Sequence, residues 1–337
     1  MLINRTRTIK GEPLLNSPKP RTRTPTHDGH TPVFVLLLTA VMCLAFTGLA
    51  LAQADTVFSY DLGDVNIIQD QFAPDSRFYT MPVRLQGVLA VPEGEGPFPV
   101  AVIVHGSYEF CTALGGEADV YPCPPEDDLH QYQGFSYLAG SLASRGYLTI
   151  VPDISAEYNN GFGEPIFAQR AIQIIEAHLS AMLNDDIVSE AATKADMDRL
   201  VVVSHSRGGP LAVSYINDDT YAMHEVSALA MLTPAFLYPG MTIPENLPTA
   251  LVISECDGDV GTEQPLSYLT EQLLPLRPAI TTIVTVPGGT HNAFSTQLDA
   301  DPRAVCEAAE IMDPQAQREF ASQFLPDYLD MALDSAT

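Results

Sequence analysis

Positive charge is scarce in this sequence. Its 337 residues include 16 lysines and arginines against 42 aspartates and glutamates, so the formal net charge at pH 7 is −26. Such a surface repels phosphate backbones and anionic lipid, which argues against nucleic acid as a partner. The scarcity is sharper beyond residue 55, because six of the basic residues come before it: Arg5, Arg7, Lys10, Lys19, Arg21 and Arg23.

Those basic residues mark an N-terminal segment of different composition. A basic stretch to Pro32 precedes an uncharged apolar run from Val33 to Ala52, and Ala52-Gln-Ala-Asp55 then has the form of a signal-peptide cleavage site. We therefore expect residues 1–54 to be a basic segment and signal peptide, and the protein to be secreted or extracytoplasmic. The apolar run is also long enough to span a bilayer, so an uncleaved membrane anchor is the alternative.

Zinc-like cysteine spacing is missing from the sequence. Cys43 lies within the apolar run, and cleavage would leave four cysteines in an oxidising compartment, which predicts two disulfides. Of the three pairings we favour Cys111 with Cys123, which closes a short loop. The second bond would then join Cys256 to Cys306 and brace a loop after a strand against a later helix. Four unpaired buried thiols are the alternative.

Internal repeats and a second domain boundary are missing as well, so residues 55–337 are expected to form one domain. Short apolar runs alternate with helical patterns, which predicts right-handed crossovers and a mostly parallel sheet covered by helices on both faces. The first strands are expected to be antiparallel. The predicted strands are 81–91, 98–104, 147–151, 200–203, 226–232, 250–253 and 282–286, and the helical patterns span 135–142, 168–182 and 211–216.

One passage from strand to helix contains a serine at a sharp turn. The pattern Ser204-x-Ser206-x-Gly208 resembles the nucleophile elbow G-x-S-x-G, in which small neighbours allow a strained turn to lift the serine hydroxyl above the sheet. Serine replaces the first glycine and is small enough to be tolerated. Ser206 is therefore the candidate nucleophile, and a turn of small residues without catalytic role is the alternative.

Two further catalytic residue types follow later strands. A serine attacks efficiently only when an imidazole takes its proton and a carboxylate orients that imidazole. Asp257 and Asp259 follow strand 250–253, and His291 follows strand 282–286. Like Ser206, these residues are therefore expected at the carboxyl ends of parallel strands, where ligands bind. Either aspartate could be the acid. The pair could instead bind calcium, although no organised loop supplies the six to eight oxygens needed.

A serine hydrolase also needs two backbone N–H groups for the developing oxyanion. The amide of Arg207, at the start of the helix after the nucleophile, is the first candidate. The turn after His105-Gly106 offers the second, from Ser107 in preference to Tyr108. Tyr108 and Phe162 also lie in loops that could line an acyl pocket.

The remaining histidines and acids are expected to have structural positions. We expect His105 to order the oxyanion turn and the side chain of His205 to point away from the reacting centre. Solvated polar positions are expected for His130, His178 and His224, and structural roles for Asp153 and Glu255.

Taken together, these motifs resemble the α/β-hydrolase family from about residue 81 onward. Ser-His-Ser206-Arg-Gly-Gly is similar to that family's elbow, His105-Gly106 to its oxyanion turn, and Gly-Gly-Thr-His291 to its histidine loop. Ser254-x-x-Asp257-x-x-Val260 is similar to its G-x-x-D-x-x-V acid loop, which favours Asp257 over Asp259. The likeness is greatest to exported esterase-like members, including dienelactone-hydrolase-like and polyester-hydrolase-like groups, and implies an α/β-hydrolase fold.

The resemblance implies hydrolysis of a carboxylic ester, small or polymeric, by Ser206, His291 and Asp257 without a cofactor. An exported peptidase, lipase or thioesterase with the same three residues is the first alternative. The second is a non-catalytic member of the fold that binds a ligand at the surface.

Overall fold

The computed structural model describes residues 57–112, 122–159, 161–184, 186–238, 240–275 and 277–336. The predicted signal peptide, its cleavage site and the possible membrane anchor lie outside these residues. Within the described part of the chain, no helix is long and apolar enough to cross a bilayer.

Eight strands form one sheet in the order β1-β2-β4-β3-β5-β6-β7-β8. The pairs β1–β2 and β2–β4 are antiparallel and the other neighbours are parallel, as the sequence predicts. The strands are β1 Val57–Ile68, β2 Thr80–Ala90, β3 Phe98–Val104, β4 Leu148–Pro152, β5 Ala195–His205, β6 Val226–Leu232, β7 Thr249–Ser254 and β8 Thr281–Val286.

Successive residues of each central strand point to opposite sides of the sheet. Because these residues are apolar on both sides, helices cover both faces of the sheet. In β3, Val100 and Val102 belong to one apolar core and Ala101 and Ile103 to the other. The described helices are α1 Ser136–Ser144, α2 Gln169–Leu183, α3 Ser189–Lys194, α4 Gly208–Ile216, α5 Glu263–Tyr268 and α6 Pro314–Ala336. Side chains of α2 and α4 join the first core, and those of α1 and α6 join the second.

Four of these strands and helices were not predicted, namely the short helices α3 and α5 and two larger elements. The first is β1, whose residues are mostly exposed or half-buried, as befits an edge strand with water on one side. The second is α6, a 23-residue helix that contains Pro326. Asp313 caps its start, since its Oδ1 accepts from the N–H groups of Gln315 at 2.9 Å and Ala316 at 3.2 Å.

Both predicted disulfides are present, Cys111–Cys123 and Cys256–Cys306. One detail of the prediction was wrong. Cys306 lies in the irregular segment before α6 and not in a helix, so the second bond joins two loops.

Candidate active site

The turn after β5 has the backbone of a nucleophile elbow. Ser206 has φ 55°, a left-handed conformation that non-glycine residues adopt at a cost of about 1–3 kcal/mol. Gly208 is required, because a Cβ there would lie 2.3 Å from the Val104 carbonyl oxygen. Ser204 is accommodated in place of the usual glycine, since it is buried and its hydroxyl donates to the Ala230 carbonyl at 3.4 Å.

The predicted serine, histidine and aspartate meet in one hydrogen-bonded chain. Ser206 Oγ lies 2.9 Å from His291 Nε2, and His291 Nδ1 lies 2.8 Å from Asp257 Oδ2. Because the Asp257 carboxylate can only accept, Nδ1 carries the ring proton and Nε2 accepts from the Ser206 hydroxyl. The side chains are nearly inaccessible to water, with exposed fractions of 4% for Ser206, 0% for His291 and 2% for Asp257. The arrangement is one that can remove the serine proton during attack.

The two candidate acids occupy different positions. The other carboxylate oxygen of Asp257, Oδ1, accepts from the backbone N–H groups of Asp259 at 2.9 Å and Val260 at 3.0 Å, which fixes its orientation toward Nδ1. Asp259 lies at the opposite side of the imidazole, with Oδ2 3.3 Å from Nε2 and 2.6 Å from Arg303 Nη1. The geometry therefore places Asp257 at the nitrogen where a triad acid belongs.

The histidine loop is held by a residue that the sequence did not single out. Thr290 N–H donates to Gln317 Oε1 at 2.8 Å, and Gln317 Nε2 donates back to the Thr290 carbonyl at 2.8 Å. Gln317 is fully buried and belongs to α6. A lone glutamine in a helix carries no sequence signal for this role, so only the structure could find it.

The position predicted for His205 was wrong. Its ring is buried 4.9 Å from the His291 ring, centroid to centroid, instead of pointing away. His205 Nε2 donates to the His291 carbonyl at 2.9 Å, and Nδ1 accepts from the Tyr108 hydroxyl. Burial lowers the pKa of His205 well below its ordinary value and raises the pKa of Tyr108, so the imidazole is neutral and the phenol keeps its proton.

The predicted oxyanion turn lies beside the nucleophile. A Cβ on Gly106 would lie 2.7 Å from the Ser206 Cβ, so only glycine permits this approach. His105 accepts at Nε2 from Ile154 N–H at 3.0 Å, so Nδ1 donates to the Gly106 carbonyl at 2.7 Å. Arg207 directly precedes α4, and its Nη1 lies 3.5 Å from Ser107 Oγ. The structure thus brings together the two residues whose amides were predicted to bind the oxyanion.

Ser206 opens onto a cavity of about 1230 Å³. The cavity is bordered by residues 107–112 and by Glu157, Tyr158, Glu164 and Pro165, together with Asp259 and Arg303. Tyr108 is among its lining residues, whereas Phe162 packs against the core. Three aromatic rings form an exposed part of the wall, namely Phe167, Phe236 and Tyr238, with centroids 4.4 Å apart for Phe167–Tyr238 and 5.1 Å for Phe236–Tyr238.

Among the remaining predicted residues, the expectation for His178 was wrong. It is fully buried, its Nδ1 lies 2.7 Å from the Tyr60 hydroxyl, and burial lowers its pKa to about 4. His130 and His224 are partly exposed. Asp153 and Glu255 bind backbone N–H groups of Ser155 at 2.9 Å and Gly288 at 3.0 Å, which are structural contacts.

Glu157 borders the cavity although it is almost fully buried. Its two carboxylate oxygens accept from the N–H groups of Ala168 at 2.8 Å and Ala171 at 2.9 Å, at the start of α2. Burial raises its pKa to about 7, and these hydrogen bonds and the charge of Arg170 oppose that rise. Among the described residues, no group of three or more His, Cys, Asp or Glu side chains is arranged to hold a metal ion.

No family model matches this sequence, and no curated protein has a significantly similar sequence. Solved structures do match it. A sugar hydrolase from Lactococcus lactis has a TM-score of 0.50 and 14% identity, over 82% of this chain and 100% of that one. A bacterial heroin esterase has a TM-score of 0.49 and 13% identity, over 86% and 90%. An esterase from Thermogutta terrifontis has a TM-score of 0.45 and 14% identity, over 79% and 92%.

At such low identity, the likeness concerns the fold. Together with the strand order and the elbow after β5, it shows that the chain has the α/β-hydrolase fold, as the motifs implied.

Proposed function

We propose that this chain is an exported serine hydrolase that cleaves carboxylic esters through an acyl-enzyme intermediate. One observation carries the proposal above all others, namely the buried chain of hydrogen bonds from Asp257 through His291 to Ser206 at the base of an open cavity. A binding protein has no need for this series of hydrogen bonds, because each bond in it helps to move a proton away from the Ser206 hydroxyl.

In the first step, Ser206 Oγ attacks the ester carbonyl and His291 Nε2 takes the hydroxyl proton. A bond forms between Oγ and the carbonyl carbon, and the electron pair of the C=O bond moves to the oxygen. Nε2 then gives its proton to the leaving alcohol as the ester C–O bond breaks. Water repeats the sequence on the acyl-enzyme and releases the acid, while Asp257 keeps the ring in the required tautomer.

The amides of Arg207 and Ser107 are proposed to stabilise the oxyanion. Arg207 lies at the start of α4, where backbone N–H groups have no partner within the helix, and Gly106 lets the turn of Ser107 approach the nucleophile. Each such donor contributes about 3 kcal/mol to transition-state stabilisation.

The cavity favours esters with an apolar acyl or alcohol group. Its wall combines the exposed aromatic side chains of Phe167, Phe236 and Tyr238, on which an apolar group can pack, with charged side chains such as Glu164, Arg207 and Arg303. The net charge of −26 disfavours polyanionic substrates. Peptidase, lipase and thioesterase activities use the same three residues and are outcomes that a substrate panel distinguishes.

Export is part of the proposal because disulfides are typical of proteins in oxidising compartments and are rare in the cytosol. The signal peptide or anchor proposed for residues 1–54 would supply the route.

The test is hydrolysis of p-nitrophenyl esters of graded acyl length by the full chain, with labelling by a serine-directed phosphonate. Ser206→Ala should abolish labelling and lower kcat by at least about 10⁴-fold, and Asp257→Asn should lower kcat by about 10⁴-fold. Ser214→Ala, in α4 but outside the site, is the matched control and should keep wild-type activity. A folded wild-type chain that neither labels nor hydrolyses any ester would contradict the proposal.

A further inference from the structure

A second carboxylate contacts the catalytic imidazole at the nitrogen that exchanges protons. Asp259 Oδ2 lies 3.3 Å from His291 Nε2, the atom that is also 2.9 Å from Ser206 Oγ. Asp259 borders the cavity, and its side chain is 36% exposed, whereas Asp257 is buried at Nδ1. The imidazole therefore has one acidic group at each of its two nitrogens.

The position of Asp259 is fixed by its surroundings. Arg303 Nη1 lies 2.6 Å from Asp259 Oδ2, and Gly258 N–H donates to the Arg303 carbonyl at 2.8 Å. Arg303 has φ 46°, and the disulfide Cys256–Cys306 joins the segments that carry the two side chains. The ion pair with Arg303 and the cross-linked backbone together hold the Asp259 carboxylate next to His291 Nε2.

The contact between Asp259 and His291 changes sign during the reaction. In the resting state Nε2 presents a lone pair, which repels a carboxylate oxygen. After Nε2 takes the proton of Ser206, it becomes an N–H donor on a positively charged ring, which a carboxylate attracts. An interaction that is favourable only after proton transfer lowers the barrier without tightening substrate binding.

Within the described part of the chain, the other polar groups near the His291 ring do not contact Nε2 with a carboxylate. Asp257 occupies Nδ1, the neutral His205 donates to the His291 carbonyl, and the protonated Tyr108 contacts His205. On the cavity side Arg303 pairs with Asp259, and its charge moderates that of Asp259.

We propose that Asp259, held by Arg303, stabilises the imidazolium form of His291 by accepting a hydrogen bond from Nε2 while that nitrogen carries the proton of Ser206. The inference rests on the proposed function. Asp259 takes no proton itself. The proton moves from Oγ to Nε2 as the Oγ–carbon bond forms, and from Nε2 to the leaving oxygen as the ester C–O bond breaks.

The experiment compares wild type with Asp259→Asn, a change of one atom at a partly exposed position. Because the contact is partly screened by water, we expect kcat for a soluble ester to fall about three- to fivefold, with KM changed by less than about twofold. Phenylboronic acid forms a tetrahedral adduct with the serine, so its inhibition constant should rise by about the same factor as kcat falls. In about 1 M sodium chloride the difference between the two proteins should shrink.

Asp301→Asn is the matched control. It removes another carboxylate near Arg303, with Oδ2 3.7 Å from Arg303 Nε, and should leave kcat unchanged. Equal or higher kcat in Asp259→Asn, with wild type active, would overturn this inference alone. Wild type that neither hydrolyses esters nor reacts with the phosphonate would overturn the proposed function as well.

Discussion

The cavity above Ser206 has two flanks, and each flank contains one disulfide bond. The two bonds differ in what they hold in place. The acid-loop flank comprises residues 254–261 and 301–306, joined by Cys256–Cys306. The rim flank comprises residues 107–112, 122–129, 157–159 and 161–167, and contains Cys111–Cys123. One bond lies next to Asp257, the proposed catalytic acid, and the other lies beside the cavity opening.

On the acid-loop flank, the disulfide reinforces backbone pairing next to Asp257, the proposed catalytic acid. Cys256 is buried and directly precedes Asp257, which forms an isolated bridge with Ala304. Val305 N–H donates to the Cys256 carbonyl at 3.0 Å. Asp257 must stay within hydrogen-bond distance of His291, so this flank has to be stiff.

On the rim flank, the disulfide shapes a wall. Cys111 pairs with Asp128 in an isolated bridge, and Thr112 N–H donates to the Asp127 carbonyl at 2.9 Å. The cavity is bordered by Phe110, Cys111 and Thr112. None of these three residues takes part in the hydrogen bonds given above for Ser206, His291 and Asp257. We therefore expect the Cys256–Cys306 bond to support catalytic geometry and the Cys111–Cys123 bond to affect substrate access.

The largest effect should come from breaking the acid-loop bond. With a sequence separation of 50 residues, the double variant Cys256→Ser, Cys306→Ser should lose about 4 kcal/mol of unfolding free energy in the chain-entropy model. Because Asp257 loses its anchor, kcat should fall by about tenfold for every ester, whatever its size. Urea unfolding and steady-state kinetics measure the two effects. A variant with unchanged kcat would mean that the main-chain bonds alone hold the acid loop.

A smaller effect is expected from the rim bond, with a separation of 12 residues. Cys111→Ser, Cys123→Ser should lose about 3 kcal/mol of unfolding free energy. We expect kcat for p-nitrophenyl acetate to match wild type, since the triad is untouched, and KM for long-chain esters to change. The first double variant is its control. Equal losses of kcat in both would break the distinction between the flanks.

The smallest expected effect is a pH dependence of the unfolding free energy, and it comes from Glu157 on the rim flank. Burial raises the pKa of Glu157 from 4.5 to about 7, so between these values the folded protein holds a proton that the unfolded chain has lost. The associated stability is fully present below pH 4.5 and is lost as pH rises through 7. From pH 5 to 8, wild type should lose about 2 kcal/mol relative to Glu157→Gln. Parallel stability curves for the two proteins in urea unfolding would contradict this.

The sequence was sufficient where local pattern and structure agree. Strands β3 and β6 have the predicted limits, because central strands of a parallel sheet are apolar on both faces and end at turn residues. Ser206, Asp257 and His291 could be placed together, since the ends of parallel strands share one edge of the sheet.

What the sequence missed depends on tertiary contacts. In α6, Pro326 and a weak apolar pattern hide a helix that packing against α1 and β6 stabilises. His178 and His205 look like ordinary polar residues, and only the fold supplies Tyr60 and Tyr108 as their hydrogen-bond partners. Asp257 and Asp259 differ by two positions, so sequence spacing alone could not show which nitrogen of His291 each would face.

The clasp between Gln317 and Thr290 has a consequence for biosynthesis. Thr290 and the whole triad are synthesised before α6, so a chain that has emerged only as far as residue 298 already contains Ser206, Asp257 and His291 but not Gln317. Until α6 docks, the buried N–H and carbonyl of Thr290 lack these partners and the histidine loop is not held. A chain truncated before α6 is therefore expected to contain Ser206, Asp257 and His291 without a held histidine loop.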